Sequence, residues 1–368
     1  MTILILNWRD IKNPAGGGAE ILTHELAKRW VKHGHSVMQI SSSFKMAKTN
    51  ETIDGVQFIR KGTWWTVQIY AYFYYKKYLK DKTDIIIDEV HWFPFFSYLY
   101  APKKTVALIC EVANKLLYQI FPYPVALMWR FIEKIYLIAY RNVPAMAISQ
   151  STYDDLVEEG HIKKNLIVLP MGLTLPVKIK HFAKEKTPTL IYVARLNKQK
   201  GLFDTIQAFA LIKSEIKEAK LWLVGSGDPT IINQVKKQIT LHKLDGAVKL
   251  FGFVSEEKKF ELLSRAHILM SASAQEGWGL TVPEAGLTRT PAVVYNIQGF
   301  RDIIQDGKEG MLVDKNPGAL ANGVVALLNK KELYKKMQDA VEKKAKSFSW
   351  DTSAEKSLQF INYFLDKK

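Results

Sequence analysis

The residues from Gln275 to Gly286 read Gln-Glu-Gly-Trp-Gly-Leu-Thr-Val-Pro-Glu-Ala-Gly and set two carboxylates, Glu276 and Glu284, around a glycine-rich turn. A helix is predicted from Pro283, because proline's missing N–H falls where a helix has no acceptor for it. The amides of such a turn, at a helix N-terminus, form an anion site. Amides suit phosphate and flanking carboxylates suit hydroxyls, and a sugar nucleotide carries both. The carboxylate spacing alone is common by chance. The glycines, the proline and the apolar run before the turn narrow it.

A second group of residues carries positive charge. Ala194-Arg195-Leu196-Asn197-Lys198-Gln199-Lys200-Gly201 follows an apolar strand pattern. Arg195 offers a planar fork to phosphate oxygens and Lys200 a point charge, so together they could neutralise a diphosphate. An ordinary basic surface loop is the competing reading. Gly16-Gly17-Gly18-Ala19-Glu20 opens a helical pattern. Its glycines allow close backbone approach to a ligand, or else form a loop tip. The spacing is not that of the G-x-G-x-x-G dinucleotide signature. Gly225-Ser226-Gly227-Asp228-Pro229 reads as a turn. Gly252-Phe253-Val254 could border a base, or Phe253 could be core. His91 and Glu111 each follow an apolar strand and are the acceptor-side candidates, with structural or solvated roles as alternatives. No His, Cys, Asp or Glu cluster has metal-site spacing, so no metal is expected. There is no nucleophile elbow of the G-x-S-x-G type.

These residues need strand ends and loops to carry them. Short apolar runs alternate with amphipathic segments along the whole chain, the pattern of α/β proteins with parallel sheets. Strands are expected at Met1–Leu6, Ser36–Ser41, Asp84–Asp88, Thr105–Ile109 and Ala145–Ser149, with a helix over Ala19–His33. Ser151-Thr152-Tyr153-Asp154 has capping-box spacing. A linker is expected within Pro170–Pro188. A second α/β unit follows, with strands at Thr189–Val193, Lys220–Val224, Val248–Phe251, Ile268–Ala272, Ala292–Tyr295 and Met311–Val313. Doubly wound sheets bind ligands beyond the carboxyl ends of their strands, so two such units facing each other would share a cleft. Two aromatic–basic stretches, Trp64–Lys77 and Leu116–Arg141, could lie in a membrane interface or pack on the first sheet. Within them Phe121-Pro122-Tyr123-Pro124 and Trp129-Arg130-Phe131 could form a greasy acceptor rim.

Composition bounds the rest. The 368 residues suffice for two domains with full cores. Cys110 is the single cysteine, which excludes an internal disulfide framework and fits a reducing compartment. Met1–Leu6 is too short and lacks the basic start of a secretory signal, and no run would span a bilayer. A cytoplasmic chain is therefore expected, with the inner face of the membrane as a further location. The formal charge of +16 suits anionic substrates or acidic lipid headgroups. Nucleic acid is excluded as a partner for want of a recognisable module. Solubility is the alternative, since Lys335, Lys336, Lys343, Lys344 and Lys346 sit on a solvated helix pattern.

Taken together, these residues resemble the family 4 glycosyltransferases, a retaining group with the GT-B fold. The resemblance rests on Glu276 and Glu284 as the E-x7-E element, Arg195 and Lys200 as the Arg-x4-Lys pair, and Gly16–Glu20 as the N-terminal glycine loop. Val168-Leu169-Pro170-Met171-Gly172 and Phe348-Ser349-Trp350 resemble the interdomain segment and the approach to the last helix. It implies an acceptor-side Rossmann-like domain over 1–172 and a nucleotide-sugar domain over 173–351, with a helix over 352–365 packing back on the first. It implies that Glu284 binds the donor ribose and Glu276 the transferred sugar, while amides of Gly277, Trp278, Gly279, Leu280 and Thr281 contact sugar and diphosphate. Arg195 and Lys200 would stabilise the departing diphosphate. Gly17 and Gly18 would close on the phosphates, and Gly252, Phe253 and Val254 would border the base. Cys110 and Glu111 stand where the family often has a histidine, and Met171 where it usually has asparagine, so the acceptor side departs most from the pattern.

The expected activity is transfer of a hexosyl group from a nucleoside-diphosphate sugar, UDP before GDP, to a glycan or lipid-linked acceptor. The expected setting is glycan, glycolipid or cell-envelope polysaccharide synthesis. No cofactor beyond that donor is implied. An epimerase of GT-B fold and a membrane-associated binding protein with a relict donor site are the other readings.

Overall fold

Ile3, Leu4, Ile5 and Leu6 are all buried, as are Ile85, Ile86 and Ile87. Unbroken apolar runs of this kind form strands covered on both faces, which parallel sheets with helices on each side provide. The computed structural model describes residues 1–91, 93–113, 117–174 and 180–366. Leu116 and residues 175–179, including Pro176 of the expected linker, lie outside the described residues. The chain divides into two compact units, Met1–Gly172 with Ser349–Lys368, and Leu173–Phe348.

In the first unit the strands are β1 (Thr2–Leu6), β2 (Ser36–Ser41), β3 (Asn50–Ile53), β4 (Val56–Arg60), β5 (Ile85–Val90), β6 (Thr105–Ile109), β7 (Ala145–Ala147) and β8 (Leu166–Val168). They order as β3-β4-β2-β1-β5-β6-β7-β8, and all neighbours are parallel except the β3–β4 hairpin. The sequence reading omitted that hairpin. Its turn is Asp54-Gly55, with φ of 51° and 82°, the left-handed pair that a two-residue hairpin needs. Strand β8 was likewise read only as interdomain segment. The helix after β7 spans Gln150–Glu158 and is capped by Ser149, whose side chain accepts from the Thr152 amide at 3.1 Å. The cap is therefore Ser149, two residues before the expected Ser151, because β7 stops at Ala147 and leaves Ser149 extended.

The last helix, Trp350–Asp366, belongs to this unit and packs on the helix Gly18–Lys32. Trp30 Nε1 donates to Ser357 Oγ at 2.9 Å, and Arg29 pairs with Asp351 at 2.5 Å. Ser353 donates to the Pro170 carbonyl. Gly172 lies so close to Trp350 that a Cβ there would sit 2.4 Å from its ring.

In the second unit β9 (Thr189–Val193), β10 (Lys220–Val224), β11 (Val248–Gly252), β12 (Ile268–Ser271), β13 (Ala292–Tyr295) and β14 (Gly310–Val313) are all parallel, in the order β11-β10-β9-β12-β13-β14. The strand order reverses direction between β9 and β12, the switch point where open α/β sheets bind ligands. The helix after β12 spans Thr281–Leu287, two residues earlier than expected. Pro283 sits at its third position, where an N–H has no intrahelical acceptor either. Among the described residues no helix is long and apolar enough to cross a membrane.

Trp350 is an aromatic anchor of the closing helix. Trp350 is 2% exposed, so Trp350→Ala should destabilise the first unit by about 3–5 kcal/mol, measured by urea unfolding. A loss under about 1 kcal/mol would mean that the helix is held elsewhere.

Candidate functional site

Each loop at the carboxyl edge of the second sheet is tied to its neighbour. Gly201 has φ +67°, and a Cβ on it would fall 1.9 Å from the Ala272 carbonyl oxygen. The loop after β9 thus lies directly on the loop after β12, and the Ala274 amide donates to the Gln199 carbonyl at 3.1 Å. Gly225 fits against the Ala194 carbonyl in the same way, and its amide donates to the Gly252 carbonyl at 2.9 Å. Gly299 fits against the Glu276 carbonyl, where a Cβ would come within 2.2 Å. Gly299 was not singled out from the sequence.

This lacing brings Lys200 and Glu276 together, with Nζ to Oε2 at 2.7 Å. Arg195 stands exposed at the end of β9. Glu284 is paired as well, by a residue that sequence reasoning missed. Lys259, on the helix Glu256–Arg265, reaches Glu284 Oε1 at 2.9 Å and Glu256 at 2.8 Å. Burial pushes the Glu284 carboxyl up and the Lys259 ammonium opposes it. Burial also pulls Lys259 down, but the two carboxylates outweigh it and hold the ammonium above its ordinary value. No local pattern marks Lys259, since its partner lies 25 residues on.

The turn between the two glutamates is partly self-satisfied. The Val282 amide donates to the Gly279 carbonyl at 3.0 Å and the Glu284 amide to the Leu280 carbonyl at 3.2 Å. Gly279 needs its φ of +75° and lies against Phe300. The Trp278 ring is buried edge-on against Phe348 at 4.9 Å, so only its backbone faces the turn. Thr281 opens the helix. Gly252 has φ +68° with open space beside it, and Phe253, beside Val254, is 84% exposed. That exposure removes Phe253 from the core.

In the first unit the glycine loop is anchored from within. Arg9 Nε pairs with Glu20 at 2.8 Å and Arg9 Nη1 donates to the Ala15 carbonyl at 2.6 Å. The Gly17 amide donates to Glu20 Oε2 at 2.6 Å and the Gly16 amide to the Asn13 carbonyl at 2.8 Å. These two amides are therefore spent inside the loop, and Gly18 begins the helix. Asp10, ahead of the glycines, is held by a buried ion pair to Arg60 at 2.6 Å.

His91 and Glu111 come together. Both line a small cavity of about 30 Å³ with Glu133 and Tyr136. Trp8 Nε1 donates to the His91 carbonyl at 3.0 Å, and Arg9 Nη2 lies 3.4 Å from His91 Nδ1. Glu89, the last residue but one of β5, is fully buried. It accepts from Asn7 Nδ2 at 2.6 Å, from Thr23 and from the Cys110 thiol at 3.7 Å. The strand was expected to end at Asp88. Two acidic residues after three isoleucines hid its continuation to Val90. Asp88 is buried too, accepting from Tyr140 at 2.6 Å and from the Phe95 and Ser97 amides.

Two doubly wound units with their charged and glycine-bearing loops at strand carboxyl ends define a GT-B protein. Solved structures agree. The sucrose-phosphate synthase of Thermosynechococcus elongatus matches with a TM-score of 0.80 over 100% of both chains at 16% identity. HepE of Anabaena, solved with UDP and glucose, matches with a TM-score of 0.73 over 99% of this chain and 100% of that one, also at 16% identity. Such identities establish the fold alone. The family model for glycosyl transferases group 1 matches residues 177–344, and that for glycosyltransferase family 4 matches residues 16–175. The chain belongs to the family 4 glycosyltransferases. N-acetyl-alpha-D-glucosaminyl L-malate synthase of Bacillus anthracis is 29% identical over 191 residues, 51% of this chain and 46% of that protein. The aligned part spans about half the length, or less, of the curated relatives.

The buried Glu89 carboxyl is pushed up to about 8, first by burial and then by the neighbouring Glu20 charge, against hydrogen bonds from Thr23 and Cys110. An unfolded chain releases this proton near pH ~4.3. Between that value and about 8 the folded chain holds a proton the unfolded chain has lost, so stability falls as pH rises through the window. Glu89→Gln removes that slope. It should match the parent near pH ~5 and exceed it by about 1–3 kcal/mol at pH ~8, read from urea unfolding at both. Parallel curves for the two proteins would exclude Glu89 as the source.

Proposed function

We propose that the chain transfers a hexosyl group from a nucleoside-diphosphate sugar to an acceptor hydroxyl with retention at the anomeric carbon. The observation that carries this reading is the Lys200–Glu276 pair at 2.7 Å beside the exposed Arg195. It sets cationic groups and a hydroxyl-binding carboxylate together at the sheet's switch point. Glu284 then takes the ribose hydroxyls and Glu276 the hydroxyls of the sugar. Arg195 and Lys200 neutralise the diphosphate as it departs, the step where positive charge lowers the barrier most. The reading gives that task to side chains in place of a metal ion.

Retention with no protein nucleophile implies front-face attack. The acceptor oxygen forms its bond to the anomeric carbon as the bond to the diphosphate breaks. A donor phosphate oxygen takes the acceptor proton, so the charge on the leaving group falls as it departs. UDP is the first donor nucleotide to test and GDP the second; HepE, solved with UDP, supports that order. The acceptor is a glycan or a lipid-linked species, in glycan, glycolipid or cell-envelope polysaccharide synthesis. An anionic membrane surface, on the cytoplasmic side, suits the charge of +16.

The test is a panel of nucleotide sugars by thermal shift, since a donor bound only by the folded state raises its stability, followed by turnover with the best donor. Lys200→Ala should lower kcat about 10²–10³-fold. Glu284→Ala should weaken donor binding about 10–100-fold, the value of hydrogen bonds to a charged group; Lys259 keeps Glu256 as its partner and the fold survives. Unchanged donor binding and turnover in Glu284→Ala and Arg195→Ala would overturn the assignment. Epimerised free nucleotide sugar as the sole product would replace transfer with epimerisation.

A further inference from the structure

The helix Glu256–Arg265 starts directly after Gly252-Phe253-Val254 and its N-cap, Ser255. The Ser255 side chain accepts from the Lys258 amide at 3.3 Å. Lys259 lies one turn beyond that cap and reaches out of its own helix. Its Nζ meets Glu284 Oε1 at 2.9 Å, on the helix Thr281–Leu287, and Glu256 at 2.8 Å. The side chains of Lys259 and Glu284 are 14% and 15% exposed, against 69% for Glu256. The bridge therefore runs inward, from a wet carboxylate to a sheltered one. A lysine drawn this far out of water carries a desolvation cost that an apolar residue would avoid. Glu284 is the group that its charge answers.

Without a cation Glu284 would be held as a neutral acid. Burial and the Glu256 charge both push its carboxyl up, and Lys259 is the group that opposes them. On the other side, the helix Thr281–Leu287 meets Val341 and Ala345 at Gly286, and neither carries charge. The Glu284 amide is spent on the Leu280 carbonyl. A neutral carboxyl accepts a hydrogen bond less strongly than a carboxylate, by about fivefold in affinity per bond. Lys259 also fixes the rotation of the carboxylate, because it engages one oxygen, Oε1.

We propose that Lys259 is the positioning residue of the ribose site: its ammonium takes Oε1 of Glu284, keeps the carboxylate aimed, and leaves Oε2 to the ribose hydroxyls. The proposal rests on the glycosyltransferase reading and adds to it the residue through which the site selects a ribose. Lys259 acts through Glu284 and touches no part of the donor.

The test compares UDP with 2′,3′-dideoxy-UDP, which keeps the base and the diphosphate and lacks both ribose hydroxyls. Binding to the full chain is measured by calorimetry, with GDP and its dideoxy form where the chain prefers guanine. The parent should favour the ribose form by about 10–100-fold. Lys259→Met keeps the length of the side chain and removes its charge. It should weaken the ribose form about tenfold and the dideoxy form less than about twofold. The deficit should widen as pH falls from ~9 to ~6, because the variant's carboxyl, its burial unopposed, takes up a proton at higher pH than the parent's. Dividing variant by parent affinity at each pH cancels the titration of the diphosphate. In the Glu284→Gln background Lys259→Met should add no further loss. That double variant leaves no unpaired buried charge, so it decides the matter even where Lys259→Met alone does not fold. Equal weakening of both nucleotides, a deficit constant with pH, or a further loss in the Glu284→Gln background overturns the proposal, since the lysine would then act on the diphosphate or on the fold. A parent that selects the ribose, with Lys259→Met selecting it equally, overturns the proposal and leaves the transferase reading standing. A parent that binds neither UDP nor GDP overturns both.

Discussion

The charged groups of the second unit are placed by one close approach, that of Gly201 to the Ala272 carbonyl. With no Cβ at Gly201, the loops after β9 and β12 lie in backbone contact, and a side chain there would meet the oxygen at 1.9 Å. Adjacent parallel strands bring two such loops side by side at their carboxyl ends. The glycine turns that adjacency into contact. Lys200 precedes Gly201 and Glu276 follows the Ala274 amide that joins the two loops, so their meeting follows from the backbone. Gly299 repeats the device on the other side, under the Glu276 carbonyl. The loop that carries Glu276 is thereby held between Gly201 and Gly299, the latter in the helix Gln298–Arg301.

The two units treat clustered charge differently. In the second, each carboxylate of the glycine-rich turn has a lysine, and Lys259 is shared between Glu284 and Glu256. Each turn carboxylate is thus tied to an ammonium that comes from a different element of the unit. In the first, Glu20 on the helix Gly18–Lys32 lies near Glu89 at the end of β5, and Arg9 pairs with Glu20. A like charge beside a fully buried carboxyl disfavours its ionisation. Burial and the Glu20 charge push the Glu89 carboxyl up, while it accepts from Asn7 and Thr23. The Glu20 charge is left to hold the Gly17 amide and fix the glycine loop.

Local chemistry made much of this legible. Parallel strands β1, β6, β9, β10 and β13 stand out because they are mostly buried runs of apolar residues. The β3–β4 hairpin was missed because β3, Asn-Glu-Thr-Ile, is mostly polar and the Asp54-Gly55 turn is short. Strand β5 was cut short at Asp88 because a second acidic residue, Glu89, looks like a loop residue. They are buried only because Tyr140, Ser97, Asn7 and Thr23 arrive from elsewhere in the fold to satisfy them. Lys259 and Gly299 were invisible for the same reason, as each acts through a partner distant in sequence. Conversely Pro283 suggested a helix start that the structure moves to Thr281, since proline is tolerated throughout a first turn.

The aromatic stretches had two readings, a membrane-facing rim or packing on the first sheet, and geometry allows both on one helix. In Tyr123–Tyr140 the buried positions are Ala126, Glu133, Tyr136, Leu137 and Tyr140. The exposed ones include Tyr123, Leu127, Phe131, Ile135 and Ile138. Each set recurs at three- and four-residue steps, so the two occupy separate stripes. The buried stripe completes a core with β6 and β7. An exposed stripe of this composition contributes nothing to that core and works against solubility, a cost the charge of +16 offsets in water.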